Sequence, residues 1–78
     1  MKYLLLSLLQ EPLTLPEILR SIKGDRNQVN ITLLRLMKKG YVDRIGSKRN
    51  YRYFITSKGL LKYYSMKIGR LLGGEDNE

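Results

Sequence analysis

The sequence predicts a small α+β domain that is mostly helical. Four stretches place apolar residues at the spacing of an amphipathic helix, and two short runs of aromatic and β-branched residues flank a polar tip. The length of 78 residues corresponds to one domain. A domain this small buries only roughly 60% of its unfolded surface, so a second subunit would help to stabilise it.

The first predicted helix covers residues 2–10, in which five of the nine residues are leucine. These leucines cover more than half of the helix circumference, so the helix needs burial on two sides. One side suits the core of the domain, and the other predicts contact with a second subunit. Pro12 ends the helix, because a proline moves the residue before it out of the α region. The apolar run is too short to span a membrane, and the residues after it do not suit signal-peptide cleavage.

A second helix, predicted over residues 15–22, begins at a capping box. Thr14 caps the first turn, and Glu17 reaches back to the cap. Gly24 ends this helix, and a third helix follows over residues 26–39 after a turn of about three residues. Two helices joined by a short turn that contains glycine are the signature of a helix-turn-helix.

The third helix has one apolar and one polar face. Its predicted core residues are Val29, Leu33, Leu36 and Met37. The predicted solvent face consists of Asn27, Gln28, Ile31, Arg35 and Lys38, with Asn30 at its margin. Asparagine and glutamine can bond adenine at two atoms in the major groove, and arginine can do the same for guanine. The polar face therefore indicates a surface that reads duplex DNA.

Two predicted strands, residues 41–45 and 51–55, form a hairpin around the turn-prone tip at 46–50. Alternation along the strands points three side chains toward the core, namely Val42, Tyr53 and Ile55. A last helix is predicted over residues 58–72, with one apolar arc made of Leu60, Leu61, Tyr64, Ile68, Leu71 and Leu72. We expect the domain to cover residues 1–72 and an acidic flexible tail to cover 73–78.

The charge is large and unevenly placed. The net charge is +8, and the segment from Arg44 to Arg70 contains eight basic residues and no acidic one. Such a balance points to a polyanionic partner. Cysteine and histidine are both absent, which removes thiolate nucleophiles, imidazole bases and the usual zinc ligands. The acidic residues show no paired pattern, so we expect no enzyme, no metal, no cofactor and no small-molecule ligand.

Residues 33–42, with the sequence LLRLMKKGYV, and residues 52–59, with the sequence RYFITSKG, carry a resemblance to a known class. The chain resembles the winged helix-turn-helix regulators of the MarR, ArsR and PadR kinds over roughly residues 12–60. In size, basic character and lack of cysteine it is also similar to small winged-helix proteins of archaeal viruses and plasmids. The resemblance implies a winged helix-turn-helix of three helices, a two-stranded wing and a C-terminal dimerisation helix. A metal switch of the ArsR kind is not expected without cysteine or histidine.

The resemblance also implies a DNA-binding surface that is divided between the third helix and the wing. Its expected members are Gln28, Asn30 and Ile31 at base edges, Arg26, Asn27 and Arg35 at the flanks or phosphates, Lys48 and Arg49 at the minor groove, and Arg44, Tyr51 and Arg52 on the backbone. We therefore expect a cytoplasmic regulator of transcription that binds specific double-stranded DNA, as a repressor that occludes a promoter.

A homodimer is expected, because the first and last helices both have surplus leucine. Its predicted interface contains Leu4, Leu5, Leu8, Leu61, Ile68 and Leu72. Two alternatives remain open for the function: a winged-helix module that binds another protein, and an architectural protein that binds DNA without sequence preference. The amides and the isoleucine on the third helix favour base readout, because an architectural protein would tend to show more lysine and arginine there. For the last helix, contact with a membrane surface is the alternative to dimer packing.

Overall fold

The structure, a computed structural model, describes residues 1–73 as four helices and a three-stranded antiparallel sheet. In chain order the elements are α1 (Lys2–Leu8), β1 (Leu13–Thr14), α2 (Leu15–Ser21), α3 (Arg26–Lys38), β2 (Val42–Ile45), β3 (Arg52–Ile55) and α4 (Ser57–Leu71). The prediction of a mostly helical α+β class is confirmed. The predicted acidic tail lies, apart from Gly73, outside the described residues.

The sheet has the order β1-β3-β2, so β3 is its central strand. Strands β2 and β3 form the predicted hairpin, in which Val42 pairs with Ile55 and Arg44 with Tyr53. The first strand was missed by the sequence analysis. It has two residues, which pair with Tyr53 and Arg52 of β3, and a pair of residues is too short to show alternation.

The core lies between the helices and one face of the sheet. Its fully buried side chains are Leu5, Leu6, Leu9, Ile18, Val29, Leu33, Leu36 and Val42. The prediction that Leu5 contributes to a dimer interface is therefore wrong, because a side chain without exposed surface cannot contact a second subunit. Leu8 is half-buried and packs against the core, whereas Leu4 is 55% exposed. The first helix thus directs most of its leucine into its own domain.

Helix α4 packs on the domain through a face that the sequence analysis did not select. Its buried residues are Gly59, Tyr63 and Met66. Tyr63 stacks on Tyr3 of α1, with the ring centroids 5.2 Å apart. The guanidinium of Arg70, also on α4, lies 4.1 Å from the centroid of the Tyr3 ring. Aromatic stacking therefore contributes to the contact between α1 and α4, together with the shared buried core.

The end of α3 and the start of α4 meet in a close contact, which we name the α3–α4 junction and define by Gly40, Tyr41, Thr56 and Gly59. Gly40 adopts a φ of 81°, which favours glycine and turns the chain from α3 into β2. The Thr56 hydroxyl donates to the Gly40 carbonyl at 2.6 Å and accepts from the Gly59 N–H at 3.1 Å. The Thr56 N–H donates to the Tyr41 carbonyl at 3.0 Å.

Gly59 lies directly against the Tyr41 carbonyl, and an added Cβ there would clash with that oxygen and with the Ile55 side chain. Gly59→Ala should therefore lower the free energy of unfolding by about 1–3 kcal/mol or more, as overpacking does elsewhere. Gly69→Ala is the matched control in the same helix, because a Cβ there meets nothing within 4 Å. It should stabilise the protein by up to about 1 kcal/mol through helix propensity. Urea unfolding measures both; equal effects of the two variants would contradict the close contact.

The capping box of α2 is present as predicted. The Thr14 N–H and the Thr14 hydroxyl both donate to Oε1 of Glu17, at 2.9 and 3.0 Å, and the Glu17 N–H donates to the hydroxyl at 3.4 Å. The hydrogen bond from the Thr14 N–H, followed by that from its hydroxyl, holds the pKa of the Glu17 carboxyl below its ordinary value. Ionised Glu17 therefore stabilises the folded state.

The Glu17 carboxyl should make stability depend on pH in a defined direction. A lowered folded-state pKa contributes stability above the unfolded value of 4.5, and this contribution is lost as the pH falls through the folded-state pKa. Glu17→Gln should therefore be less stable than the wild type at pH 7, and the gap should close below about pH 4.5. Urea unfolding at several pH values measures it, with Glu11→Gln as the control for net charge. A gap that stays constant from pH 7 to pH 3 would show that Glu17 does not act through its charge.

Candidate nucleic-acid interface

Helix α3 presents a broad exposed face opposite its core residues. All six residues predicted to contact DNA from this helix are exposed: Arg26, Asn27, Gln28, Asn30, Ile31 and Arg35. At about 100° per residue, Asn27 and Ile31 lie at the centre of the face, whereas Gln28 and Asn30 lie on opposite flanks. Each flank of α3 borders a concave region of the surface.

The first concave region, here the α1–α3 groove, has a volume of about 470 Å³. It is lined by Met1, Lys2, Gln28, Thr32, Arg35, Leu36 and Lys39. Three of these residues are basic, and none of the described residues that line it is acidic. The Thr32 hydroxyl is not available to a ligand as a donor, because it donates to the Gln28 carbonyl at 2.8 Å.

The second concave region, here the hairpin crevice, has a volume of about 230 Å³ and lies between the hairpin tip and the starts of α2 and α3. It is lined by Thr14, Leu15, Pro16, Arg26, Lys48, Arg49, Asn50, Tyr51 and Tyr53. Its basic residues come from both the hairpin tip and α3. The crevice therefore brings together parts of the two elements that the sequence analysis assigned to DNA.

The hairpin has an inner face, which continues from the core, and an outer face. Pairing places Arg44 and Tyr53 on the inner face, and alternation adds Tyr51. The Arg44 guanidinium lies 4.0 Å from the centroid of the Tyr51 ring, and both side chains are half-buried. The tip residues Lys48 and Arg49 are exposed. Arg44 and Tyr51 therefore support the base of a hairpin whose tip is basic.

Arg52 does not join the other predicted contact residues. It alternates with Tyr51 and Tyr53 along the strand and so lies on the outer face of the sheet. The same face carries Thr14, and the Arg52 charge contributes to the lowered pKa of Glu17. The structure thus separates Arg52 from the inner face, the crevice and α3.

The charges are unevenly distributed over the domain. Asp43, paired with Phe54 across the hairpin, lies on the outer face of the sheet. The described residues that line the groove and the crevice include six cations, namely Lys2, Arg26, Arg35, Lys39, Lys48 and Arg49, and no acidic residue. A positive potential is therefore concentrated on the α3 side of the domain.

Sequence reasoning missed three residues of this side: Lys2, Thr32 and Lys39. Gln28, Thr32, Arg35 and Lys39 line one groove at helical spacing, and this spacing was visible in the sequence. The approach of Lys2 was not visible, because it depends on how α1 packs against α3. Leu34 was also missed as a surface residue; it is 49% exposed beside Ile31 on the outward face of α3.

Helix α4 presents a second unpartnered surface, an apolar stripe roughly opposite its buried face. The stripe, here the α4 stripe, consists of Leu61, Tyr64, Ile68, Leu71 and Leu72, which are 50–83% exposed. It contains three of the residues predicted for a dimer interface. Within residues 1–73, at least half of each of these side chains is exposed.

Comparison with known proteins adds no assignment to this geometry: no protein-family model matches the chain, and a search of curated proteins gives no match. Among residues 1–73, no three acidic side chains come together in a way that could hold a metal ion. None of the helices in the same part of the chain has the length and apolar character needed to cross a membrane.

Proposed function

We propose that the protein is a winged helix-turn-helix regulator that binds double-stranded DNA. The observation that carries this proposal is the basic side of the domain, where α3 projects between two concave regions whose described lining residues include no acid. An α-helix fits the major groove, and flanking cations fit the phosphate backbones on its two sides. Hairpin β2–β3 is the proposed wing, with its basic tip on the minor groove.

The exposed face of α3 supports base readout rather than simple charge attraction. Its centre carries Asn27 and Ile31, and its flanks carry Gln28 and Asn30. Amides can form paired hydrogen bonds with adenine, and an isoleucine can contact the methyl group of thymine. The arginines and lysines lie toward the grooves, where phosphates would pass. We therefore favour sequence-specific binding; repression of transcription in the cytoplasm is part of the same proposal.

The α4 stripe supports a homodimer. Its exposed leucines and isoleucine form a continuous apolar face, which is unusual on a soluble monomer of this size. Leu4, on the helix that packs against α4, adds to the exposed apolar surface. A two-fold dimer would present two copies of α3 to a pseudo-palindromic site with half-site centres about 10 base pairs apart, or a multiple of that.

Mutations in the wing and in α3 should have different effects on DNA binding. The wing should contribute electrostatic affinity for any duplex, and α3 should contribute preference for the cognate sequence. Lys48→Ala with Arg49→Ala should weaken binding to cognate and random duplexes alike and flatten the log-log salt dependence by roughly 0.9 per lost phosphate contact. Gln28→Ala should cost about 1–3 kcal/mol on the cognate duplex if the contact is bidentate, with the salt slope unchanged. Binding isotherms at several salt concentrations measure both effects.

Arg52→Ala is the matched control for the wing variant, because it removes a cation from the same hairpin but on the outer face. It should leave both affinity and salt slope close to the wild type. Our assignment of the phosphate contacts to the hairpin tip fails if Arg52→Ala flattens the salt slope by as much as each of the two tip substitutions does. The proposal of DNA binding itself fails if the wild type retains no genomic fragment in the presence of competitor DNA.

The dimer predicts a specific effect of charge on the α4 stripe. Ile68→Glu should convert the dimer to a monomer, because a carboxylate would be buried in an apolar interface. Lys67→Glu is the control, since it places the same side chain at the neighbouring position outside the stripe. Sedimentation at micromolar concentration should give about twice the chain mass for the wild type and Lys67→Glu, and the chain mass for Ile68→Glu. A wild-type monomer at every concentration would reject the dimer.

One observation favours the alternative of a protein-binding module. Ile31 and Leu34 lie one turn apart on α3 and are 43% and 49% exposed, so the face has an apolar component. A module of this kind would retain no DNA fragment, whereas an architectural DNA-binding protein would retain all fragments equally. Retention of a few fragments under competition is the result that our proposal requires.

A further inference from the structure

We propose that the hairpin crevice is a pocket for a single phosphate group, with the hydroxyl of the buried residue Tyr53 as a hydrogen-bond donor. The inference rests on the proposed function, because the phosphate that the crevice would receive there belongs to the DNA backbone. It is more specific than a general basic surface, because it assigns one phosphate to the hairpin crevice and includes an uncharged residue, Tyr53, among the contacts.

Tyr53 is the first observation. Its side chain is 6% exposed, lies on the inner face of the central strand and lines the crevice. Its hydroxyl makes no hydrogen bond within residues 1–73, although buried polar groups are nearly always paired. A hydroxyl without a partner in the domain can donate to an acceptor placed in the crevice. Phenylalanine would fill the same space, so packing does not account for the hydroxyl.

The surrounding charge is the second observation. Arg26 reaches the crevice from the start of α3, and Lys48 and Arg49 reach it from the hairpin tip. None of the described residues that line it is acidic. The lining residues include three cations and two tyrosines but no charged acceptor, which favours an anion. Guanidinium groups match the geometry of phosphate oxygens with paired hydrogen bonds.

The capping box at the start of α2 is engaged within itself. Pro16, in the first turn, has no N–H, and the Glu17 N–H already donates to the Thr14 hydroxyl. The Thr14 hydroxyl in turn donates to the Glu17 carboxylate. We therefore assign recognition to the side chains of Tyr53, Arg26 and the hairpin tip.

The size of the crevice limits its ligand. Its volume of about 230 Å³ is below the range of roughly 300–1,000 Å³ that is typical of pockets for whole small molecules. A phosphate group fits, whereas a complete nucleotide with base and sugar would extend outside. A phosphate held between α3 and the hairpin tip would fix the position of the duplex against both elements at once, which is the role of backbone contacts in DNA recognition.

Binding of inorganic phosphate tests the pocket without DNA. In the wild type, titration at constant ionic strength should shift the amide NMR signals of crevice residues in a saturable way. Tyr53→Phe should raise the dissociation constant about tenfold, as loss of a hydrogen bond to a charged acceptor does. Tyr41→Phe is the matched control, because Tyr41 is a half-buried tyrosine that does not line the crevice. Arg26→Gln, at an exposed position that cannot disturb the core, should weaken phosphate as well.

Binding of duplex DNA identifies the source of the phosphate. Tyr53→Phe should weaken cognate and random duplexes alike by about tenfold while leaving the salt slope unchanged, because the hydroxyl carries no charge. Arg26→Gln should weaken both duplexes and lower the slope by roughly 0.9. Tyr41→Phe should match the wild type.

The outcomes separate this inference from the proposed function. If the wild type binds phosphate in a Tyr53-dependent way but no duplex, the pocket is supported and its source is a free phosphate, while DNA binding fails. If the wild type binds duplex but Tyr53→Phe behaves as Tyr41→Phe does toward both phosphate and duplex, the pocket is overturned and DNA binding stands. If Tyr53→Phe weakens the binding of both inorganic phosphate and duplex DNA, the pocket is supported and its phosphate belongs to DNA.

Discussion

The arrangement of this domain depends on the close approach of Gly59 to the Tyr41 carbonyl. At that point α3 ends, β2 begins, β3 ends and α4 begins, so one contact fixes the relation of four elements. Thr56 ties the same backbone with bonds to the Gly40 and Tyr41 carbonyls. The hairpin leaves the domain here, because β2 starts and β3 ends at the junction. The junction therefore influences the orientation of the basic tip relative to α3. The four residues that form the junction lie within the segments 33–42 and 52–59, on which the sequence analysis based its expected resemblance.

Much of the fold could be predicted because its signals are local. Helical spacing, the Thr14–Glu17 capping box and the glycine stops gave helix ends within two residues of those observed. The failures concern choices that only packing decides. Helix α4 has two apolar faces, and the one with Tyr63 and Met66 was chosen because Gly59 lets that side approach the core. Leu5 was assigned wrongly for a similar reason. Leucines cover more than half of the circumference of α1, so their spacing does not show which of them face the core.

The candidate site was predictable to a similar extent. The exposed residues of α3 and the basic tip followed from periodicity and charge. Arg52 was assigned to the same surface by charge, although its position in the strand already places it opposite Tyr51 and Tyr53. The two concave regions could not be derived, because each is formed by residues from distant parts of the chain. Tyr53 was predicted only as a core residue, and its place in the lining of the crevice depends on how the hairpin folds back on α2 and α3.

The short strand β1 has a consequence for how copies of the chain can associate. It makes β3 the central strand and leaves β1 and β2 as the edges of the sheet. One edge has only two residues, and the other has four with Asp43 and Arg44 in its middle. An exposed strand edge can pair with a strand of another chain and so start an aggregate. Short and charged edges are poor templates for such pairing. Short edges of this kind are compatible with the proposed dimer through the α4 stripe, which would close after two subunits instead of extending into a fibre.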